Sequence, residues 1–467
     1  MLQRVRRLHF VGIGGIGMSG IAELLLNLGY EVSGSDLKSS PITERLEGLG
    51  GVVTVGHAAE NVATADVVIT SSAVDTDNPE VVAALRAGIA VIPRAEMLAE
   101  LGRMRHGILI AGSHGKTTTT SMMATVFEAA GLDPTVVIGG KLEAWGTNAR
   151  LGHGEFMVAE ADESDGSFLR LSPTIAVVTN IDLEHLDHYA DFDELRDAFV
   201  EFLNKVPFYG TGVVCLDDPE VQEIMPRVTR RLLTYGENPQ ADIRATEITV
   251  DATGTTVVCF AKNERLGEFR LQVLGRHNAL NALACVAVGL DLDLPFETIA
   301  AALAAYAGTA RRFEQIQNAQ DVMVVDDYGH HPTEIRAVLG AAGEAYPERR
   351  RIVVFQPHRY SRSQLLRDEF GRAFYDADEV YILPIYAASE APIPGVTGED
   401  LAAAVREHGH KNIHYAEDAE ALLEHLQGCV AAGDLIMTLG AGDVWKISHQ
   451  LGAWLGADTT ELSPQES

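Results

Sequence analysis

Two glycine loops in this chain each follow an apolar run, and they differ in design. One is GSHGKTTT, residues 112–119. Glycines at such a place let backbone N–H groups approach phosphate oxygens, and a following helix N-terminus favours negative charge. Lys116 reaches β- and γ-phosphates, and Thr117 offers an oxygen to Mg²⁺. The spacing is shorter than the usual G-x-x-x-x-G-K-[ST], because Ile110 stands where the first glycine belongs. That leaves a short form, G-x-x-G-K-T, built on Gly112 and Gly115, with Ser113, His114 and Thr118 in the same cradle. A plain glycine turn before a helix accounts for the glycines but not for Gly-Lys-Thr behind an apolar strand.

The other loop is GIGGIGMSG, residues 12–20, with Gly14, Gly15 and Gly17 ahead of Met18 and Ser19. Asp36 ends the next strand in SGSD, about where a dinucleotide fold reads a ribose. The motif alone admits NAD or another nucleotide diphosphate, since a pyrophosphate on a helix N-terminus looks the same in either case.

Further polar clusters end other strands. FMVAEADESD closes in acids, of which Glu160 comes first and is the natural partner of Thr117 on a metal. Glu163 and Asp165 read as solvated acids. TNIDLEHLDHY places Asn180 and His185 after the next strand, and His185 is a second candidate metal ligand. TNID has no lysine to make a guanine-reading N-K-x-D, so ATP is favoured over GTP. GRHNALNALA opens a helix containing Asn281. DDYGHHPTE brings Tyr328 and His330, and QPHRYSR brings His358, Arg359 and Arg362. In a chain of net charge −30, such a gathering of histidine and arginine suits a carboxylate or a sugar phosphate.

These clusters need a scaffold that brings strand ends together. Apolar runs of strand length alternate with helical patterns throughout, a βαβ rhythm that predicts parallel sheets with helices on both faces. In such sheets ligands bind beyond the carboxyl ends of the strands. The 467 residues are too many for one ordinary core, and 46% are hydrophobic. The rhythm restarts near 104 and again near 310. The acidic balance, 36 Lys+Arg against 66 Asp+Glu, argues against nucleic acid and anionic membrane as partners. No apolar run is long enough to span a bilayer. Cys215, Cys259, Cys285 and Cys429 form neither a C-x-x-C pair nor a disulfide framework, which fits a reducing cytoplasm.

Taken together, these stretches resemble the Mur ligases. GIGGIGMSG, GSHGKTTT, EADESDGSFL, TNIDLEHLDHY, GRHNALNALA, RRFE, DDYGHHPTE, QPHRYSR and GAGD occur in that order between residues 8 and 450. The resemblance implies three α/β domains: a Rossmann-like UDP-binding domain at 1–104, a central P-loop ATPase-like domain at 105–310 and a Rossmann-like C-terminal domain at 311–467. It implies an ATP-dependent ligase of peptidoglycan precursor synthesis, most similar to the alanine-adding branch. There, the lactyl carboxylate of UDP-N-acetylmuramate takes the γ-phosphoryl group of ATP, and L-alanine attacks the acyl phosphate. One loop then holds the UDP diphosphate and the other the ATP phosphates.

By the same resemblance, Gly14, Gly15, Gly17, Met18, Ser19, Asp36, Ser71, Ser72 and Asn180 meet the sugar nucleotide. Gly112 to Thr118, Asn281 and Arg312 meet ATP. Thr117, Glu160 and His185 hold Mg²⁺ or Mn²⁺. Tyr328, His330, His358, Arg359 and Arg362 surround the amino acid and acyl phosphate, with His330 as the base for the amine. Many relatives carry a carbamylated lysine after the metal histidine. DFDELRDAFVEF has none and Lys205 comes too late, so no carbamyl-lysine is expected. The expected protein is cytoplasmic, and a monomer or weak homodimer.

Three rivals share parts of this pattern. A murein-peptide recycling ligase acts on the same sugar nucleotide. An NAD-dependent dehydrogenase with an ATP-binding domain, or a non-catalytic nucleotide-binding regulator, leaves the clusters at 326–334 and 356–362 unexplained.

Overall fold

A computed structural model describes residues 5–71, 73–102, 105–142, 147–184 and 188–457. They form two compact units, Met1–Glu247 with Val258–Phe269 and Leu280–Ala307, and Ile248–Val257 with Arg270–Ala279 and Gly308–Ser467.

The first unit begins with five parallel strands: β1 (Arg7–Val11), β2 (Glu31–Asp36), β3 (Val52–Val55), β4 (Val67–Thr70) and β5 (Ala90–Pro93). Their order is β3-β2-β1-β4-β5, so the chain leaves β1 in both directions and the glycine loop 12–20 emerges at the centre. Helix Ile16–Asn27 follows that loop directly and ends before Gly29, whose φ of +84° no other residue adopts as readily.

A ten-stranded sheet comes next: β6 (His106–Ala111), β7 (Thr135–Leu142), β8 (Thr147–Arg150), β9 (Phe156–Glu160), β10 (Ile175–Val178), β11 (Thr211–Cys215), β12 (Leu232–Gly236), β13 (Ile243–Asp251), β14 (Gly254–Ala261) and β15 (Glu264–Leu271). Its order is β15-β14-β13-β12-β11-β10-β6-β9-β7-β8. The ends of β13, β14 and β15 count with the second unit. β6 lies between β9 and β10, parallel to both, with Ile110 level with Glu160 and Ala111 level with Val178. That register sends three loops out of one sheet edge: the glycine loop, the acid run from 160 and the loop after Val178. β6 and β10 are almost wholly buried, which is why they read as unbroken apolar runs.

The second unit holds a six-stranded sheet: β16 (Glu314–Ala319), β17 (Val322–Asp327), β18 (Arg350–Phe355), β19 (Glu379–Ile382), β20 (Ile413–Tyr415) and β21 (Asp434–Leu439), in the order β16-β17-β21-β18-β19-β20. Only β16 runs antiparallel to its neighbour. The loops bearing Tyr328 and His358 leave the C-terminal ends of β17 and β18. Among the described residues, no helix is long and apolar enough to cross a membrane. The four cysteines are free thiols, and Cys429 alone is exposed.

Candidate functional site

The loop after β6 is laced to the loop after β10. His114 N–H donates to Asn180 Oδ1 at 2.8 Å, and Asn180 Nδ2 donates back to His114 O at 3.0 Å. Thr179 Oγ1 donates to His114 O at 2.6 Å, and Asp182 N–H donates to Ser113 Oγ at 2.8 Å. His114 Nε2 lies 3.0 Å from Asp182 Oδ2. Two glycines make the path possible. Gly112 has φ +131°, and a Cβ there would overlap Thr179 Oγ1. Gly115, at φ +82°, is the N-cap of helix Lys116–Ala129, and a Cβ there would press on Asn281 Oδ1. Asn281, only 7% exposed, thus stands against the loop.

Lys116 is folded back over this cradle. Its Nζ donates to Gly112 O at 2.6 Å, Ser113 O at 3.2 Å and Glu163 Oε1 at 2.8 Å. Burial opposes the ammonium, but Glu163, Asp162 and Glu184 outweigh it and raise its pKa above the ordinary lysine value. Glu163 is fully buried, and its backbone carbonyl accepts from Tyr189 Oη at 2.6 Å. This corrects its reading as a solvated acid. Asp165, by contrast, accepts from Ser167 N–H in a local turn. The sequence offered four acids in EADESD and no means to tell which one turns inward.

Thr117 and Glu160 are half-buried, at the first turn of the helix and the last residue of the neighbouring strand. They offer oxygen donors only, the set a hard divalent cation takes, so the residues fit such an ion. His185, the third expected ligand, lies outside the described residues, as does Ser72. Thr118 is buried, 7% exposed. Lys205 is the C-cap of helix Phe192–Asn204 and pairs with Glu201 at 3.1 Å.

At the other loop, Asp36 binds the glycine backbone itself: Gly14 N–H donates to Oδ2 and Leu37 N–H to Oδ1, both at 2.8 Å. Gly15 caps helix Ile16–Asn27. A Cβ at Gly17 would overlap the Arg94 guanidinium, whose Nη2 lies 3.6 Å from Asp162 Oδ2. Met18 and Ser19 are buried, with both backbone N–H groups donating to Gly15 O, while Ser71 is half-buried just past β4.

In the second unit Tyr328, His330 and His358 come together, with ring centroids 5.4 Å apart for the first two and 5.7 Å for the last two. The Arg311 and Arg312 guanidiniums lie 5.1 and 5.2 Å from the Tyr328 ring, at cation–π range. His330 Nδ1 sits 3.0 Å from Tyr328 O, a carbonyl that can only accept. Nδ1 therefore carries the hydrogen and a neutral His330 presents Nε2 as a base. His358 stacks on Tyr386. Burial first, then Arg362 and Arg359, push its pKa down to about 4. Arg359 adopts φ +71° with its N–H on Tyr386 O, and Arg362 reaches back toward His358 O. His331, buried, caps helix Pro332–Ala345, and Glu334 completes a capping box.

His277 in the same unit is also held down to about 4, by burial and then by Arg312. A histidine depressed in the folded state contributes stability at pH values above its unfolded pKa, and loses it as pH falls toward the folded value. The stability difference between wild type and His277→Gln is thus expected to move against wild type by about 3 kcal/mol between pH 6.5 and 4. Urea melts across that range check it; a constant difference would contradict it.

Three family models match in order: "Mur ligase family, catalytic domain" at residues 7–106, "Mur ligase middle domain" at 110–289 and "Mur ligase, glutamate ligase domain" at 311–442. The chain belongs to the Mur ligase family. It is 58% identical over 455 residues to a UDP-N-acetylmuramate–L-alanine ligase of Syntrophotalea carbinolica, covering 97% of this chain and 99% of that one. The enzyme of that name from Geotalea uraniireducens is 58% identical over 458 residues, covering 98% and 100%. Among solved structures, the UDP-N-acetylmuramate–alanine ligase MurC of Thermotoga maritima aligns with a TM-score of 0.82 at 29% identity, over 97% of this chain and 99% of that one. A murein peptide ligase of Psychrobacter arcticus shares the fold at 23% identity, with a TM-score of 0.72 over 97% and 100%.

Proposed function

We propose that this chain is an ATP-dependent ligase that joins L-alanine to the lactyl carboxylate of UDP-N-acetylmuramate, in the cytoplasm, for peptidoglycan precursor synthesis. One observation carries the chemistry: a half-buried lysine, paired to the buried Glu163, on a short Gly-x-x-Gly-Lys-Thr loop between two strands whose ends supply carboxylates. Full-length identity of 58% to alanine-adding ligases carries the choice of acceptor. Residues 1–104, 105–310 and 311–467 serve as sugar-nucleotide, ATP and amino-acid domains, in a monomer or weak homodimer.

The lactyl carboxylate oxygen attacks the γ-phosphorus, the bond to the β-phosphate oxygen breaks, and ADP leaves. Lys116, drawn from Glu163 to the phosphate oxygens, stabilises their charge as the bond changes. Thr117, Glu160 and His185 would hold magnesium or manganese, which supplies further neutralisation of the transferring group. The alanine amine then attacks the acyl carbon, a C–N bond forms, and inorganic phosphate leaves. His330 Nε2 takes the amine proton, and Arg359 and Arg362 attract the carboxylate of the amino acid and the acyl phosphate.

Hydroxylamine in place of alanine tests the intermediate. ATP-dependent formation of the sugar-nucleotide hydroxamate is expected; its absence while the complete reaction runs would contradict an acyl phosphate. His330→Ala is expected to slow ligation about 10²-fold and to remove the acidic limb of its pH–rate profile. An unchanged profile would move the base elsewhere.

A further inference from the structure

Glu80 is fully buried in the first turn of helix Pro79–Ala87, a place where a carboxylate needs partners. Its Oε2 accepts from Ser35 Oγ at 2.6 Å, and its Oε1 accepts from Asn61 Nδ2 at 2.5 Å and from Ala58 N–H at 3.4 Å. His57 Nδ1 lies 2.9 Å from Ser35 Oγ and 3.5 Å from Glu80 Oε2. Ser35 has one proton, and it goes to the carboxylate. Burial alone would raise the Glu80 pKa, but His9, whose Nε2 lies 3.5 Å away, and hydrogen bonds from Ser35 and Asn61 outweigh it and hold the group at about 2, so it can only accept. Both neighbours of His57 Nδ1 are therefore acceptors, and Nδ1 carries the hydrogen. A neutral imidazole has one N–H, which leaves Nε2 an acceptor.

His57 stands at the ligand edge of the sheet. Gly56 N–H donates to Asp36 O at 2.7 Å, joining the ends of β3 and β2, and Asp36 in turn holds Gly14 of the loop. Passing outward from the loop, the strand order is β1, β2, β3. A nucleotide with its diphosphate on the loop and its ribose near Asp36 brings its base toward β3. Leu37 and Val55, 76% and 63% exposed beside this junction, leave apolar surface uncovered where a planar ring is expected.

We propose that His57 Nε2 accepts a hydrogen bond from the nucleoside of the sugar nucleotide, the N3–H of uracil, and that Glu80, through Ser35, positions His57 in the tautomer that does so. This rests on the reading that the first glycine loop holds UDP-N-acetylmuramate. Glu80 touches no ligand; it acts through the proton it fixes on Ser35.

Calorimetric titration of the full chain with UDP, N3-methyl-UDP and 2′-deoxy-UDP at pH 8 tests it. Methylation at N3 is expected to weaken binding to wild type about tenfold, and the two ligands should bind His57→Ala alike. Glu80→Gln should lose the discrimination too, although His57 is intact. The amide introduced at position 80 donates to Ser35, Ser35 turns its proton to Nδ1, and Nε2 becomes a donor. Ser35→Ala serves as a second variant if Glu80→Gln does not fold. Discrimination that follows the deoxy sugar instead, and collapses in the same variants, would place the donor on the ribose and overturn the base assignment. Equal binding of both analogues and UDP to wild type, or discrimination that survives in His57→Ala, would overturn the proposal. Discrimination that survives in both Glu80→Gln and Ser35→Ala would overturn the relay. Wild type that binds no UDP at all would remove the sugar-nucleotide reading itself.

Discussion

Lys116→Met is expected to abolish nearly all phosphate transfer, lowering the rate of ADP formation about 10³-fold. The ammonium is the cation that the fold holds over the glycine loop, on two loop carbonyls and a buried carboxylate. The same change should destabilise the first unit by about 3 kcal/mol, because Glu163 keeps its buried charge and loses its partner. The two losses separate in the double variant. Lys116→Met with Glu163→Gln should regain most of the stability and none of the rate. ADP assays and urea melts on wild type, Lys116→Met, Glu163→Gln and the double variant check this. A double variant no more stable than Lys116→Met would mean that the pair contributes nothing to the fold.

Arg311→Met is the second large effect, and it falls on stability. Arg311 Nε donates to Asp326 at 2.8 Å, and its Nη2 donates to Gly440 O at 2.7 Å. Asp326 is fully buried, and its other oxygen accepts from Thr438 Oγ1 at 2.6 Å. Removing the guanidinium leaves that carboxylate without its cation and frees the loop after β21. A loss of about 3–5 kcal/mol is expected. Arg312→Met, whose guanidinium meets Glu334 at 3.5 Å on a more exposed face, should cost much less stability. A Tm ordering with Arg312→Met as the worse variant would contradict this division of roles.

The contrast shows what a linear reading can reach. RRFE named Arg312 as a ligand residue and passed over Arg311, because adjacent arginines differ only in which way the chain turns. The β17 strand was legible because both of its faces are buried, so it reads as a continuous apolar run. Its antiparallel partner β16, EQIQNA, is a half-exposed edge with one large apolar residue, and nothing in its pattern marks a strand. β7 and β8 were missed for a related reason: Gly139 and Gly140 interrupt the first, and the second is TNAR. The glycine loops were legible because glycine, lysine and threonine at fixed spacing carry their own mechanism. Glu163 and the Ser35–His57–Glu80 relay were not, since both depend on residues far apart in sequence meeting under a sheet edge.

Phosphate release from ATP and Mg²⁺, with UDP-N-acetylmuramate and L-alanine each omitted in turn, tests the central claim most directly. Steady release that requires both, with UDP-N-acetylmuramoyl-L-alanine found by mass, is the predicted result. Release that ignores alanine but proceeds with a murein peptide, or no release with both substrates present, would contradict it.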